Sequence, residues 1–300
     1  MILETRALTK RFRRRTAVHE LSLGVERGDV YGFLGPNGAG KTTTLRMMVG
    51  LIRPTSGTVT ILGETLSTFH RAPLGRIGAI IETPAFYTYL SGRDNLRMMA
   101  SLGGGCAPSR IDEVLDRVEL RVRAGDPVRI YSHGMKQRLA IAAALLPAPE
   151  IILLDEPTNG LDPMGIRDVR ALVRSLASDD RLTVFLSSHL LSEVQQICTR
   201  GAILRRGEKI WEGRVDELLG ERQYLRVRAT PTERAIEVIT GLGATCEQRA
   251  DLLLVRDAPT PEDLVAALVA AGCRVAEIAA HVPSLEEVFV ELVDDGKEAP

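Results

Sequence analysis

Short apolar runs recur through the first 218 residues, and such runs are typical of strands buried on both faces of a parallel sheet. They lie at residues 30–34, 77–82, 151–154 and 183–189. Between them, apolar positions recur at helical spacing, at residues 42–49, 139–146, 166–176 and 190–198. Alternation at residues 2–9 and 16–25 instead predicts two paired antiparallel strands. The pattern predicts an α/β domain that carries an antiparallel β subdomain.

From Pro84 onward the apolar runs give way to amphipathic helical segments. Ser91 and Asp94 have the spacing of a capping box and predict a helix that continues to Leu102. A second helix is predicted over residues 112–122. The segment of about residues 84–146 is therefore predicted to be a helical subdomain inserted between two strands of the sheet.

The pattern restarts near residue 219. Strands and helices are predicted there in the order β-α-β-β-α-β, followed by a last helix capped by Ser284 and Glu287. This order predicts a small α+β ferredoxin-like module without a phosphate loop. The chain is thus divided into a domain of residues 1–218 and a C-terminal accessory domain of residues 219–300.

Composition restricts the classes of function. With 45% apolar residues and a net charge of −1, the chain has enough core for two domains and no global attraction to nucleic acid. The basic run at residues 10–15 favours a solvated turn over a lipid or nucleic-acid contact. The four scattered cysteines indicate neither zinc nor disulfides, and fit a reducing cytoplasm. We expect neither a leader peptide nor a membrane span.

The clearest chemical signal is a phosphate-binding loop between a buried strand and a helix. It fits G-x-x-x-x-G-K-[ST] with Gly35, Pro36, Asn37, Gly38, Ala39, Gly40, Lys41, Thr42 and Thr43. Backbone N–H groups would surround the phosphates, Lys41 would reach the β- and γ-phosphates, and Thr42 would bind Mg²⁺. An ordinary glycine-rich turn is the alternative, and the flanking strand and helix make it much less favoured. The loop predicts a site for a nucleoside triphosphate.

Two acids and a histidine follow later buried strands. Asp155 and Glu156 end the run at 151–154, where an Asp can hold Mg²⁺ and the adjacent carboxylate can activate water. His189 ends the run at 183–189, beside the expected γ-phosphate. An exposed acidic pair and a structural histidine are the less favoured alternatives. We expect Glu156 and His189 to be catalytic.

Two further positions suit nucleotide contact. Ser132 is placed to cap the helix at 139–146, and a capped helix N-terminus is an anion site. Phe12, expected in the turn between the first two strands, either stacks on a nucleotide base or covers the sheet edge. The sequence alone does not choose between these two roles.

Taken together, the phosphate loop, the segment 131–138 with Ser132 and Gly134, the run 151–156, the turn 159–162 with Asp162, and His189 resemble the ATP-binding subunit of an ABC transporter. The resemblance spans residues 2 to about 215. Segments 81–87 and 132–138 are similar to the bacitracin- and lantibiotic-type exporters. The resemblance implies a P-loop NTPase fold, with a RecA-like core, an antiparallel β subdomain and a helical subdomain.

The resemblance also implies roles for single residues. Two copies would bind head to tail, with Ser132 and Gly134 of one copy facing the γ-phosphate held by the other. Asp162 would contribute to contact across that dimer, and Phe12 would stack on adenine. Glu82 stands where the family usually has Gln, and would bind metal and water together with Thr42 and Asp155. The partner copy could be identical or a similar ATPase.

A membrane permease is the further partner that the resemblance implies, docked near residues 82–89 on the cytoplasmic face of the membrane. The function predicted is ATP hydrolysis that powers export of a peptide antibiotic, drug or lipid-like molecule. A soluble ABC-type ATPase acting on ribosomes or DNA is the alternative, but such chains usually carry two cassettes or a long coiled-coil insertion. In a third class the C-terminal domain would be the active part, and the complete catalytic set argues against it.

Overall fold

The computed structural model describes residues 1–82, 84–220 and 222–294. For residues 293 and 294 it describes the backbone only. Residue 83, in the segment predicted to face a permease, lies outside the described residues. The chain forms two compact units, Met1–Val215 and Asp216–Pro300. The division between them lies three residues before the boundary predicted after residue 218. Every helix in the described part of the chain is too short or too polar to cross a bilayer.

Ten strands and six complete helices build the described part of the first unit. The strands are β1 Leu3–Phe12, β2 Arg15–Val25, β3 Val30–Leu34, β4 Ser56–Ile61, β5 Glu64–Thr65, β6 Ile77–Ile80, β7 Ile151–Asp155, β8 Thr183–Ser188, β9 Arg200–Arg205 and β10 Glu208–Arg214. The helices are α1 Lys41–Met48, α2 Gly92–Leu102, α3 Pro108–Arg117, α4 His133–Leu145, α5 Pro163–Ser178 and α6 Leu191–Ile197. Short 3-10 turns lie at Ala72–Arg76, Arg121–Arg123 and Val128–Ile130.

A six-stranded sheet in the order β10-β9-β3-β8-β7-β6 forms the centre of this unit. The strands from β9 to β6 are parallel, whereas β10 pairs with β9 in antiparallel register. A second, antiparallel sheet has the order β2-β1-β4-β5. The carboxyl ends of β3, β7 and β8 meet at one edge, where ligands of open α/β sheets bind. The predicted α/β fold with an antiparallel subdomain is confirmed.

The core between the two sheets explains why the apolar runs form central strands. All residues of β3 and β8 are buried. Tyr31 and Phe33 of β3 pack against Phe185 of β8, both with ring centroids 5.3 Å apart. The Tyr31 hydroxyl donates a hydrogen bond to Glu212 at 2.8 Å, and burial raises its pKa well above the usual value. A phenol kept neutral in this way remains a hydrogen-bond donor within the core.

Helices α2, α3 and α4 form the inserted helical region. Ser91 accepts a hydrogen bond from the Asp94 backbone N–H at 3.0 Å, as the capping box predicts. The predicted helix at 112–122 is wrong in its limits, because α3 is Pro108–Arg117. Pro108 fits the first turn of a helix, and Glu119 has a left-handed φ of 58° that ends the helical path.

Two predicted positions near the site also need correction. Phe12 is the last residue of β1, paired with Arg15 of β2, so it is not part of the turn. The strand predicted over 77–82 ends at Ile80, which places Glu82 in the following loop with a φ of 68°. A left-handed φ interrupts the regular geometry of a strand, and β6 has already ended two residues before Glu82, so the sheet edge is reached before the carboxylate.

The second unit is a four-stranded antiparallel sheet in the order β12-β13-β11-β14 with helices packed on it. A short helix, α7 Val215–Gly220, spans the division between the units. The other elements are β11 Tyr224–Thr230, α8 Thr232–Gly241, β12 Thr245–Arg249, β13 Leu252–Arg256, α9 Pro261–Ala270, β14 Arg274–His281 and α10 Leu285–Asp294. This unit has its own core, which includes Val227, Ile239 and Leu264.

Candidate active site

The phosphate loop connects β3 to α1 in a path that only glycine permits at two positions. Gly40 has a φ of 110°, and a Cβ there would lie 2.5 Å from the Ala17 carbonyl oxygen. A Cβ at Gly35 would lie 2.5 Å from the Leu204 carbonyl oxygen. Lys41, 5% exposed, donates to the Gly35 carbonyl oxygen at 2.7 Å. The loop therefore curves around its own lysine at the N-terminus of a helix, as an anion site requires.

Asp155 lies where β7 meets the first turn of α1. Its Oδ2 accepts a hydrogen bond from the Thr42 hydroxyl at 2.8 Å, and its Oδ1 accepts one from the Ser187 hydroxyl at 2.5 Å. Ser187 is the parallel-strand partner of Asp155, which brings the two side chains to the same edge. The contact orients the carboxylate toward the phosphate loop. Ser187 was not predicted as a site residue, although it precedes His189 by two positions.

Glu156 follows β7 directly and adopts a left-handed φ of 47°. Its backbone N–H donates to the Ser187 hydroxyl at 3.0 Å, which holds the residue in that uncommon conformation. One carboxylate oxygen lies 3.3 Å from Lys41 Nζ, and the other lies 2.9 Å from His189 Nδ1. The structure therefore brings the three predicted residues Lys41, Glu156 and His189 together.

A cavity of about 350 Å³ opens over the phosphate loop and reaches Glu156. Phe12, 47% exposed, forms part of its wall, as do Asn37, Gly38, Gly40, Lys41, Thr42 and Thr43. The sequence analysis missed Arg15, which lines the same cavity and donates to the Gly38 carbonyl oxygen at 3.4 Å. Only the observed hairpin register identifies this position, because Arg15 is the strand partner of Phe12.

Ser132, Gly134 and Asp162 lie around a different cavity, of about 380 Å³. Ser132 caps α4 by accepting from the Met135 N–H at 3.2 Å, and Asp162 caps α5 by accepting from the Gly165 N–H at 2.7 Å. His133 Nδ1 lies 2.9 Å from the Gly160 carbonyl oxygen and so links the two caps. Among the described residues, the linings of the two cavities share no member. A single chain therefore separates the phosphate loop from residues 131–138, the signature segment.

Glu82 stands apart from the contacts that join Thr42 to Asp155. Its carboxylate pairs with Arg46 of α1, and its side chain is 58% exposed. Within the part of the chain that the structure describes, no group of three or more His, Cys, Asp or Glu side chains converges as a metal cage would. A cation here would need oxygen ligands from Thr42, Asp155 and the nucleotide itself, which is the usual arrangement for Mg²⁺.

Comparison with known proteins agrees with this geometry. A family model described as "ABC transporter" matches residues 18–159. The bacitracin transport ATP-binding protein BcrA of Bacillus licheniformis is 40% identical, over 98% of this chain and 98% of its own. The daunorubicin resistance ATP-binding protein DrrA3 of Streptomyces coeruleorubidus is 37% identical, over 96% of this chain and 94% of its own.

Solved structures show the same fold. A dimeric structure of a post-hydrolysis state of the ATP-binding cassette MJ0796, bound to ADP and Pi, matches with a TM-score of 0.64 and 26% identity. It covers 71% of this chain and 98% of the cassette chain. With relatives that match almost the full length, the chain belongs to the ABC transporter family and is an ATP-binding subunit that hydrolyses ATP.

Proposed function

We propose that this subunit powers export of a peptide antibiotic, drug or lipid-like molecule through a separate permease, from the cytoplasmic face of a membrane. The observation that carries the ATP-hydrolysis part of this proposal is the contact of Glu156 with both Lys41 and His189. The direction and class of cargo are supported by relatives named for bacitracin transport and daunorubicin resistance. The net charge of −1 gives no support to a partner rich in phosphate.

The proposed chemistry assigns each group a separate task. Glu156 accepts a proton from the attacking water, and His189 holds the Glu156 carboxylate and approaches the γ-phosphate. Lys41 neutralises phosphate charge, and the loop N–H groups orient the chain of phosphates. The Thr42 hydroxyl oxygen and Asp155 Oδ2 lie 2.8 Å apart. These two groups would hold Mg²⁺, which would offset charge on the β- and γ-phosphates. Glu82 would join this set after leaving Arg46.

We propose a head-to-tail dimer, of two identical chains or of this chain with a similar ATPase. The separation of the two cavities supports it, because Ser132 and Gly134 then complete the site of the partner copy. The N-terminus of α4 would face the γ-phosphate with its positive dipole end. Asp162, at the start of α5, would contribute to the contact between the copies.

A groove of about 390 Å³ supports docking of a permease helix. It lies between β6 and α4 and is lined mostly by apolar and small residues, including Pro84, Ala85 and Phe86. Beside it along the chain, Tyr87 and Tyr89 are 50% and 68% exposed, with ring centroids 5.9 Å apart. Exposed aromatic rings and an apolar groove are features of helix-binding surfaces.

For residues 219–300 we propose a ferredoxin-like accessory domain. The strand order β12-β13-β11-β14, with all neighbours antiparallel, supports this assignment. So does the element order β-α-β-β-α-β from β11 to β14. The domain lacks the phosphate-loop motif, which supports a modulating role rather than a catalytic one.

The variant Glu156→Gln tests the catalytic assignment. It keeps the shape of the side chain and removes the base, so we expect turnover to fall by about 10²–10⁴-fold while ATP still binds. Phosphate release at saturating ATP and binding of a fluorescent ATP analogue measure the two effects. Glu64→Gln, on the exposed strand β5, is the matched control. Wild-type turnover in Glu156→Gln would remove Glu156 from the role of base.

A further inference from the structure

Glu193 is a buried acid that the catalytic scheme does not use. It lies in α6, is 6% exposed, and its Oε2 accepts a hydrogen bond from the Thr158 hydroxyl at 2.5 Å. Its second oxygen, Oε1, is buried and accepts no hydrogen bond from the residues that the structure describes. A carboxylate that is only half satisfied lowers stability compared with an apolar side chain of similar size. Stability is therefore a poor reason for an acid at this position.

The hydrogen bond to Thr158 acts on the turn that carries Glu156. Thr158 is 6% exposed, and its carbonyl oxygen accepts from the Leu161 N–H at 3.2 Å. The Asn159 N–H donates to the Glu156 carbonyl oxygen at 3.0 Å, so Thr158 lies inside the same turn. Because Glu156 has a left-handed φ of 47°, its backbone stays in place only if the residues around it are fixed.

Three side-chain contacts join residues 155–158 to residues 187–193, which run from the end of β8 into the first turn of α6. Ser187 bonds Asp155 at 2.5 Å, His189 bonds Glu156 at 2.9 Å, and Glu193 bonds Thr158 at 2.5 Å. The contacts follow the same order along both segments, so the Glu156–His189 pair lies between the other two. Any displacement of Thr158 relative to α6 would be transmitted to this central pair.

Helix α6 is itself firmly seated on the central sheet. Gly32 of β3 allows it, since a Cβ there would lie 2.6 Å from Val194 Cγ1 and 3.0 Å from Cys198 Sγ. Cys198, which caps the C-terminus of this helix, is buried, and burial together with the nearby Glu193 charge raises its pKa. Glu193 is thus a fixed anchor for Thr158.

We propose that Glu193 and Thr158 are positioning residues for ATP hydrolysis, because their hydrogen bond keeps the Glu156 carboxylate beside His189. This inference rests on the proposed roles of Glu156 and His189. The hydrogen bond between Glu193 and Thr158 then affects the rate of the hydrolysis step and has little influence on how tightly ATP binds.

The variants Thr158→Val, Thr158→Ser and the double variant Thr158→Val/Glu193→Leu test the proposal. Valine removes the hydroxyl and leaves Glu193 unpaired, so Tm and kcat should both fall. Removing both partners should restore Tm, since two apolar side chains replace a buried polar pair. If the hydrogen bond positions Glu156, kcat at saturating ATP stays about tenfold low in the double variant, with KM for ATP within about twofold. Thr158→Ser should restore kcat.

The ring nitrogens of His189 provide a second readout. Their ¹⁵N chemical shifts should change in the double variant and remain as in the wild type in Ser192→Ala, an exposed control on the same helix. A double variant with wild-type kcat, or with a loss confined to KM, overturns the proposal. Full turnover in Glu156→Gln would instead refute the base assignment, so the two failures are distinguishable.

Discussion

Arg15 is a residue of the cavity wall that the geometry adds to the expected set. Its guanidinium lies over Gly38 and lines the same cavity as Phe12, so we expect it to reach a phosphate or ribose oxygen of bound ATP. A hydrogen bond to a charged group contributes about 1.5–3 kcal/mol when it is desolvated, and a partly exposed one contributes less. We expect Arg15→Ala to raise KM for ATP about tenfold, which corresponds to about 1.4 kcal/mol.

Steady-state kinetics check this expectation through the split between KM and kcat. Since the Arg15 guanidinium donates to the Gly38 carbonyl oxygen, whereas Glu156 pairs with Lys41 and His189, kcat should remain within about twofold. Arg14→Ala, from the hairpin turn beside it, removes the same charge without removing a wall of the cavity. If Arg14→Ala raised KM as much as Arg15→Ala, the effect would be general electrostatic attraction and the specific contact would be disproved.

Residue types alone identified the positions whose chemistry is tied to a motif. Lys41 and Thr42 could be predicted because the spacing of the loop and its flanks is specific to phosphate binding. Ser187 and Arg15 could not, because serine and arginine are common on strands, and their roles depend on strand partners. Which residues share a sheet edge is set by the pairing of strands distant in sequence.

At the scale of elements, the N-terminus of α4 is the feature with a testable function. Ser132 caps this helix and lies exposed beside Gly134, so a bulky cation there would occupy the space that the proposed dimer gives to the phosphate of the second copy. We expect Ser132→Arg to bind ATP normally as a monomer and to lose ATP-driven dimerisation. Losing the cap also costs about 1 kcal/mol of stability, which leaves the fold intact.

Light scattering with ATP, in the Glu156→Gln background that slows hydrolysis, measures the dimer directly. Ser101→Arg, which adds the same charge to the exposed end of α2, is the matched control and should dimerise fully. Normal dimer formation by Ser132→Arg would contradict a site completed by the partner copy.

Elements with a complete local signal were predicted well, and those limited by backbone conformation were not. The cap at Ser91 and the apolar run of β8 each contain their own signal, so α2 and β8 were predicted almost as they occur. In contrast, Glu82 and Glu119 take left-handed φ values that glutamate rarely adopts. Tertiary packing imposes these conformations, and residue type therefore gave no warning that β6 and α3 end early.

At the scale of the whole molecule, the phosphate loop and the signature segment can be inactivated in different chains, because they lie apart within one chain. Lys41→Ala removes the loop lysine, and Ser132→Arg blocks the signature segment, so either variant alone should have almost no turnover. In a mixed head-to-tail dimer, the intact loop of one chain meets the intact signature segment of the other. The mixed dimer can still close, because the substituted Ser132 faces the Lys41→Ala loop, where we expect no bound phosphate. Random pairing makes half of the pairs mixed, each with one of its two sites intact, which predicts about a quarter of wild-type activity.

This recovery depends on the arrangement of the dimer and not on either residue alone, which makes it a test of the assembled molecule. Activity is measured as phosphate release at saturating ATP, with the total protein concentration held equal in all samples. A mixture of Lys41→Ala with Lys41→Ala/Ser132→Arg is the matched control, because no pairing of those chains contains an intact loop. The test mixture could instead be no more active than the sum of its separate components. That result would show that each chain completes its own site, since turnover returns only when one copy supplies the loop and the other supplies the signature segment.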